Sequence, residues 1–406
     1  MKVLIVGAGI AGVSLALALR KANIDFQLFE RAPALEPIGA GIQLSPNATR
    51  VLEYLGVLDA LLPRIVRPGR HRFVDWSSGE PMLVTPLGAA VHEAFGSPYA
   101  HAHRADLLAA LESALGTGAN IAMGAEVTSV GQDDQGVWVE VNGAELRGDV
   151  LIAADGVRSQ IRESLFLPEA PRASGCMAWR GLTPANDIAD LGFERDSYIW
   201  MGPGRSVVIY YVAGGTLLNW IGIGPADGET EESWTTQGSV SQALAEFEGW
   251  HPMVRGLIER SAPPFKWALF DREPLGRWVQ GRIALIGDAA HAMLPYHAQG
   301  AAQSLEDAWV LARALERAPS PEDGLRHYEA LRLPRTRQVQ EASRAAERLF
   351  HLEDSDEVAR RNARFARAQA SMGEGFPPGQ EWLFAYDAEK AVCGTDEAWQ
   401  SLAWRN

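Results

Sequence analysis

Residues 2–6, KVLIV, are an unbroken β-branched and leucine run, the pattern of a strand covered on both faces. A glycine-rich turn follows, then residues 10–22 carry apolar positions at helical spacing and residues 25–30, DFQLFE, read as a second strand ending in an acid. The chain therefore opens with a βαβ unit. Segments 35–60 and 101–116 read as mixed and helical, and 119–154 alternates apolar and polar residues in short strands before the buried-type run DVLIAAD returns to the first sheet. From about 176 to 225 the alternation becomes rich in aromatics. RSVVIYYV, the Gly214-Gly215 turn and TLLNWIGIG make a hairpin signature. Residues 281–288, GRIALIGD, return to a buried strand, a helix is expected from about 300 to 316, and 322–371 reads as further helices. The last 35 or so residues carry scattered aromatics that dock on the body.

This order predicts an α/β fold: a Rossmann-like dinucleotide-binding domain from 1–75, 101–175 and 269–320, an inserted mostly antiparallel β-sheet domain from 76–100 and 176–268, and a C-terminal helical region, 321–406. A length of 406 residues suits two or three folding units. With 47% hydrophobic and 22% charged residues the composition is globular, not disordered. A net charge of −14 repels phosphate backbones and anionic lipid, so neither nucleic acid nor a membrane is expected as a partner. Cys176 and Cys393 form no CxxC or metal-ligand spacing, and His101 and His103 lack a spaced third ligand, so no metal is expected. Without a secretion-type segment or an apolar run of roughly 18 residues, the cytoplasm is the expected location.

Gly7-Ala8-Gly9-Ile10-Ala11-Gly12 lies between strand and helix, with Glu30 at the end of the next strand. Gly7 permits the tight turn, Gly9 lets amides approach a pyrophosphate at the helix N-terminus, Gly12 allows close packing, and Glu30 accepts from ribose hydroxyls. The motif alone does not separate FAD from NAD. Further along stand Gly287-Asp288-Ala289-Ala290-His291, Pro295, Gly300 and Glu306-Asp307-Ala308. An acid at a strand end can accept from a polyhydroxyl chain, while the helix beginning at Gly300 aims amides at an electron-rich ring. Asp155-Gly156-Val157-Arg158-Ser159 with Arg162, Arg104 in HRADL, and Gly39-Ala40-Gly41-Ile42 complete an ordered set.

Together these motifs resemble the single-component (group A) FAD-dependent aromatic hydroxylases with a GR2-type FAD-binding domain, among them those acting on salicylate, 3-hydroxybenzoate and 6-hydroxynicotinate. The resemblance covers at least three quarters of the chain and weakens after residue 345. It implies tight, non-covalent FAD held by Gly7, Gly9, Ile10, Ala11, Gly12, Glu30, Arg31, Gly41, Ile42, Arg104, Asp155, Asp288, Pro295, Gly300 and Ala301. It also implies that NADH or NADPH reduces the flavin, which captures O2 as a C4a-hydroperoxide and passes one oxygen to a small aromatic or N-heteroaromatic acid, with or without loss of the carboxylate. The protein's tasks are then to exclude water, hold the ring and help a phenol lose its proton.

In the inserted sheet Val208, Tyr210 and Val212 share one face, and Val207, Ile209 and Tyr211 the other. Only one of the two tyrosines can face a ligand, and the resemblance to the 6-hydroxynicotinate type, in which the first tyrosine of a YY pair faces the ligand, implies that it is Tyr210. Ser206 stands where the family usually has histidine, Arg205 is a neighbouring anchor, and Gln43 replaces a histidine of the hydroxynicotinate type. Tyr296 matches the 3-hydroxybenzoate type, and His297 adds a group titrating near 6.5. The expected catalytic set is Tyr210, Tyr296 and His297; the substrate-binding set is Gln43, Arg205, Tyr210 and Pro295. A flavin-dependent halogenase, whose WxWxIP pattern is absent with Trp234 and Trp267 standing alone, and a non-catalytic flavin-fold binding protein remain the alternatives. A monomer and a homodimer are equally open.

Overall fold

The computed structural model describes residues 1–34, 40–166, 170–226, 236–372 and 380–394. In chain order the strands are β1 (Lys2–Val6), β2 (Asp25–Glu30), β3 (Gly41–Leu44), β4 (Arg70–Asp75), β5 (Pro81–Pro86) and β6 (Ala100–His103). Next come β7 (Ile121–Met123), β8 (Val127–Asp133), β9 (Gly136–Val141), β10 (Ala144–Gly148), β11 (Val150–Ala153) and β12 (Arg172–Pro184). The rest are β13 (Ser197–Gly202), β14 (Arg205–Val212), β15 (Leu217–Pro225), β16 (Phe265–Asp271), β17 (Val279–Gln280) and β18 (Ile283–Leu285).

The first sheet has the order β17-β18-β11-β1-β2-β7 and is parallel except for β17. Val3, Leu4, Ile5 and Leu151 are fully buried in it, as an apolar strand covered on both faces requires. The second sheet, β16-β12-β15-β14-β13-β4-β5, is antiparallel apart from the β13–β4 pair. One of its faces packs Val207, Ile209 and Trp220 against Phe247 and Leu257 of the short helices that follow β15. The opposite face looks toward the first sheet's helices.

The expected elements at 2–6, 10–22, 25–30, the hairpin, 281–288 and 300–316 are all observed. One division differs. Residues 70–75 were expected in the nucleotide-binding unit, but β4 pairs in parallel with β13 and belongs to the second sheet. Its partner is distant in sequence, so no local signal marks the pairing. Likewise β12 starts at Arg172 and β16 runs to Asp271, each beyond the expected boundary. The helices Pro321–Phe350 and Ser355–Met372 supply the C-terminal region and reach back to cover the second sheet's open face.

Candidate active site

β1 runs into the first glycine turn. Gly7 has φ +102° and a Cβ there would lie 2.4 Å from the Ala154 carbonyl oxygen; a Cβ on Gly12 would lie 1.9 Å from that of Gly7. Neither position tolerates a side chain, whereas a Cβ on Gly9 would meet nothing within 4 Å. The open side at Gly9 faces the N-terminus of the helix Ile10–Lys21, begun by Ile10 and Ala11, where amides and dipole favour an anion. The Glu30 carboxylate accepts from the amides of Ala8 (2.8 Å) and Ala32 (2.9 Å), which fixes the turn to the end of β2. Glu30, Arg31, Asp155 and Arg158 line a groove of about 520 Å³ with Gly7 and Gly9. Asp155 Oδ1 is buried without a protein partner, and burial raises its carboxyl above the ordinary range against the hydrogen bond from Ser159.

A second cavity, about 610 Å³, lies between the Asp288–Ala301 segment and the open face of the second sheet. It gathers Gly41, Ile42, Asp288, Pro295, Gly300 and Ala301 from the expected cofactor set, together with Gln43, Tyr210, Tyr296 and His297 from the expected catalytic and substrate sets. The Asp288 carboxylate opens into the cavity but is crowded by protein. That desolvation raises it above the usual carboxylate range, with His291 and Arg104 opposing. Arg104 is tied to the segment that leads into β3 through its amide, which donates to the Ala40 carbonyl (3.0 Å). Between His297 and Gln299 the chain turns through Ala298 at φ +53°, a left-handed conformation costly for alanine, and enters the helix Gly300–Arg317.

Behind the cavity that helix buries Glu306 and Asp307 completely. Asp307 Oδ2 accepts from the Gly287 amide (2.9 Å) and meets His291 Nε2 (2.6 Å), while Oδ1 accepts from Arg332 Nε (2.8 Å). Glu306 accepts from Arg332, from Arg335 (2.9 and 3.0 Å) and from Asn47 (2.6 Å). Burial alone would raise both carboxyls; Arg335 and Arg332 outweigh it at Glu306, His291 and Arg332 at Asp307, and both are held below the ordinary range. The network fixes the turn that carries Asp288.

Tyr210 is 2% exposed, and burial pushes its phenol up to about 12 with Arg180 opposing. Its ring packs 4.6 Å from the buried His101, which backs it from outside the cavity lining. Tyr211 points to the other face and donates to the Phe193 carbonyl (3.1 Å). Gln43 accepts from Tyr99 Oη (2.5 Å). Burial raises the Tyr296 phenol and lowers the His297 imidazole. Ser206 meets an imidazole from elsewhere: His351, at the end of the Pro321–Phe350 helix, places Nε2 2.9 Å from its Oγ.

Arg205 does not reach the cavity. Its odd position on β14 directs it to the face of Val207 and Ile209, where it donates to Glu246 (3.3 Å). The cavity's arginine on the sheet is Arg180 of β12, which donates to the Gly41 carbonyl and whose guanidinium is lowered from its ordinary value by burial. The signal in the sequence was a lone charge inside the apolar strand CMAWRGL, since arginine is rarely buried unless paired. His71 and Tyr99 also line the cavity and carry no motif that would reveal it. Gly39 and Trp234, both singled out above, lie outside the described residues.

The family described as FAD binding domain matches residues 1–343. The chain is 37% identical over 390 residues to a 3-amino-4-hydroxybenzoate 2-monooxygenase from Streptomyces cremeus, covering 96% of each chain. It is 33% identical over 398 residues to a 3-hydroxybenzoate 6-hydroxylase from Klebsiella oxytoca, covering 97% of this chain and 98% of that one. Among solved structures, Klebsiella pneumoniae HpxO complexed with FAD and uric acid superposes with a TM-score of 0.83 at 27% identity, over 97% of each chain.

Proposed function

Because the chain belongs to the FAD binding domain family and is a flavoprotein monooxygenase of the aromatic hydroxylase type, we propose that it hydroxylates a small aromatic or N-heteroaromatic acid in the cavity that Asp288 and Tyr210 share. That shared cavity carries the reading: residues of the flavin motifs form one wall and the sheet face of Tyr210 the other. The residues fit the cofactor, with an unpartnered buried acceptor at Asp155 and a glycine cradle closed at Gly7 and Gly12 but open at Gly9. Bound FAD supplies the redox chemistry, carrying electrons from NADH or NADPH to O2. Asp288 would hold the ribityl chain and Glu30 and Asp155 sugar hydroxyls, and the amides beginning the Gly300–Arg317 helix would favour negative charge on the reduced ring. Tyr210 hydrogen-bonds the ring hydroxyl, with Arg180 favouring its ionised form, and the neutral His297 takes the proton. Asp288 is the one carboxylate among the described lining residues, against Arg180 and Arg364, so an organic anion is favoured even though the chain is acidic overall.

The alternatives of a halogenase and of a non-catalytic binding protein gain no support from relatives that are hydroxylases. A nicotinamide-dependent reaction fits the cytoplasm, and no helix among the described residues is long and apolar enough to cross a membrane. The test is oxidation of NADH or NADPH by the FAD-loaded protein with salicylate, 3-hydroxybenzoate, 6-hydroxynicotinate and 3-amino-4-hydroxybenzoate in turn, with hydroxylated product quantified. One acid should accelerate oxidation and yield product, and Tyr210→Phe should lower coupled hydroxylation about 100-fold with FAD content unchanged. Acceleration by none of them would refute the substrate class.

A further inference from the structure

The sheet facing the cavity sorts its side chains into rows. Ser197 of β13 stands opposite His71 of β4 on one side and Tyr210 of β14 on the other. Thr85 extends this row beyond His71, and Asn219 beyond Tyr210. Residues in register across a sheet share a face, so the row lies on the side that Tyr210 presents to the cavity. The next row on that face is Phe73, Ile199, Val208 and Ile221, all apolar and all lining the cavity. A ring resting on the apolar row turns one edge toward the polar one.

Three atoms of the polar row, His71 Nε2, Ser197 Oγ and Asn219 Nδ2, are buried with no partner in the protein. Buried polar atoms are ordinarily paired, and of these three residues His71 is the one that lines the cavity, so its orphaned Nε2 indicates a ligand that completes it. His71 is held in place by stacking on Phe73, 5.1 Å between centroids at 21°. Asp196 and His297 face it, and His101 lies behind; burial lowers the imidazole to about 4, leaving it neutral with one donor and one acceptor nitrogen. Two strand spacings, about 10 Å, separate the backbones of His71 and Tyr210.

We propose that His71 sets the substrate specificity of this cavity: its Nε2 binds the carboxylate of the aromatic acid while Tyr210, two strands away, holds a ring hydroxyl. The assignment rests on the aromatic-acid reading above and deepens it. Because the two groups stand on separate strands, they select hydroxybenzoates with the hydroxyl meta or para to the carboxylate over the ortho isomer, whose two substituents lie side by side.

The test is titration of the FAD-loaded protein, without nicotinamide, with 3-hydroxybenzoate, 4-hydroxybenzoate, salicylate and phenol, followed by the change in flavin absorbance. The wild type should bind one of the meta or para acids at least 10-fold more tightly than salicylate or phenol. His71→Phe should weaken that acid by about 10- to 100-fold, the range for one hydrogen bond to a charged group, and leave phenol unchanged. His71→Gln, which keeps a donor in a similar volume, should recover part of the loss, and equal FAD content certifies the fold of both variants. Wild-type affinity for the acid in His71→Phe, or equal weakening of acid and phenol, overturns the assignment while leaving the hydroxylase reading intact. A wild type that binds none of these benzoates overturns the assignment, and if it also refuses 6-hydroxynicotinate and 3-amino-4-hydroxybenzoate the aromatic-acid reading falls with it.

Discussion

Replacing Arg332 by leucine withdraws one cation from the buried network behind the Asp288 turn. The guanidinium has no solvent exposure and donates to Asp307 (2.8 Å), Glu306 and Gln303 Oε1 (2.6 Å). In its place Glu306 and Asp307 keep Arg335, Asn47, His291 and the Gly287 amide, and the network carries an uncompensated negative charge. Breaking a buried pair from one side costs about 3–5 kcal/mol, a large part of the 5–15 kcal/mol typical of whole proteins. Leucine fills part of the vacated volume, so the cost is mainly electrostatic. Since Asp307 fixes the Gly287 amide, the Asp288 turn loosens and FAD affinity falls as well. Urea unfolding of the FAD-loaded protein, read by flavin fluorescence, measures both. Asp307→Asn in the Arg332→Leu background removes the stranded charge, and the double mutant should recover at least about 1 kcal/mol relative to the sum of the singles. Both carboxyls titrate below their ordinary range in the fold, so their contribution is full above the unfolded value of about 4 and is lost as pH falls through the folded one. A single-variant loss under about 1 kcal/mol, or strict additivity, would mean that the network does not stabilise this turn.

Asp288→Ala should weaken FAD binding about 10- to 100-fold, and Asp288→Asn, which keeps an acceptor, by less; equilibrium dialysis of the flavin distinguishes them. Gly12→Ala drives a methyl against the Gly7 carbonyl oxygen at 1.9 Å and should cost about 1–3 kcal/mol of stability or prevent folding. Gly9→Ala, with open space at its Cβ, should leave apoprotein melting unchanged while lowering FAD affinity, because the methyl enters the space reserved for ligand.

The first sheet was legible because its strands are short apolar runs bounded by glycine, and a glycine with a backbone oxygen 1.9 Å from its missing Cβ leaves a fixed trace in the sequence. Alternation showed that Tyr210 and Tyr211 face opposite sides, and the resemblance chose Tyr210 between them. The same alternation excludes Arg205, an odd position beside an even one, and applying it there would have moved the search for a cation to another strand. Arg180 showed as a lone charge in an apolar strand, but its meeting with His71 in one cavity was hidden for a different reason. Each becomes a cavity residue only through pairings, β12 with β15 and β4 with β13, whose partners are far apart in the chain and set by no local pattern. His351 is hidden more deeply, since it meets Ser206 from a helix end beyond the segment where the resemblance holds.

The polar and apolar rows belong to strands joined by main-chain hydrogen bonds that do not depend on which side chains they bear. If the proposal for His71 holds, exchange of one member of a row alters which ring substituents are matched without moving the frame or the opposite wall of the cavity. Such a surface separates heritable change in substrate choice from change in the oxidative machinery, so a lineage can acquire a new aromatic diet one strand position at a time.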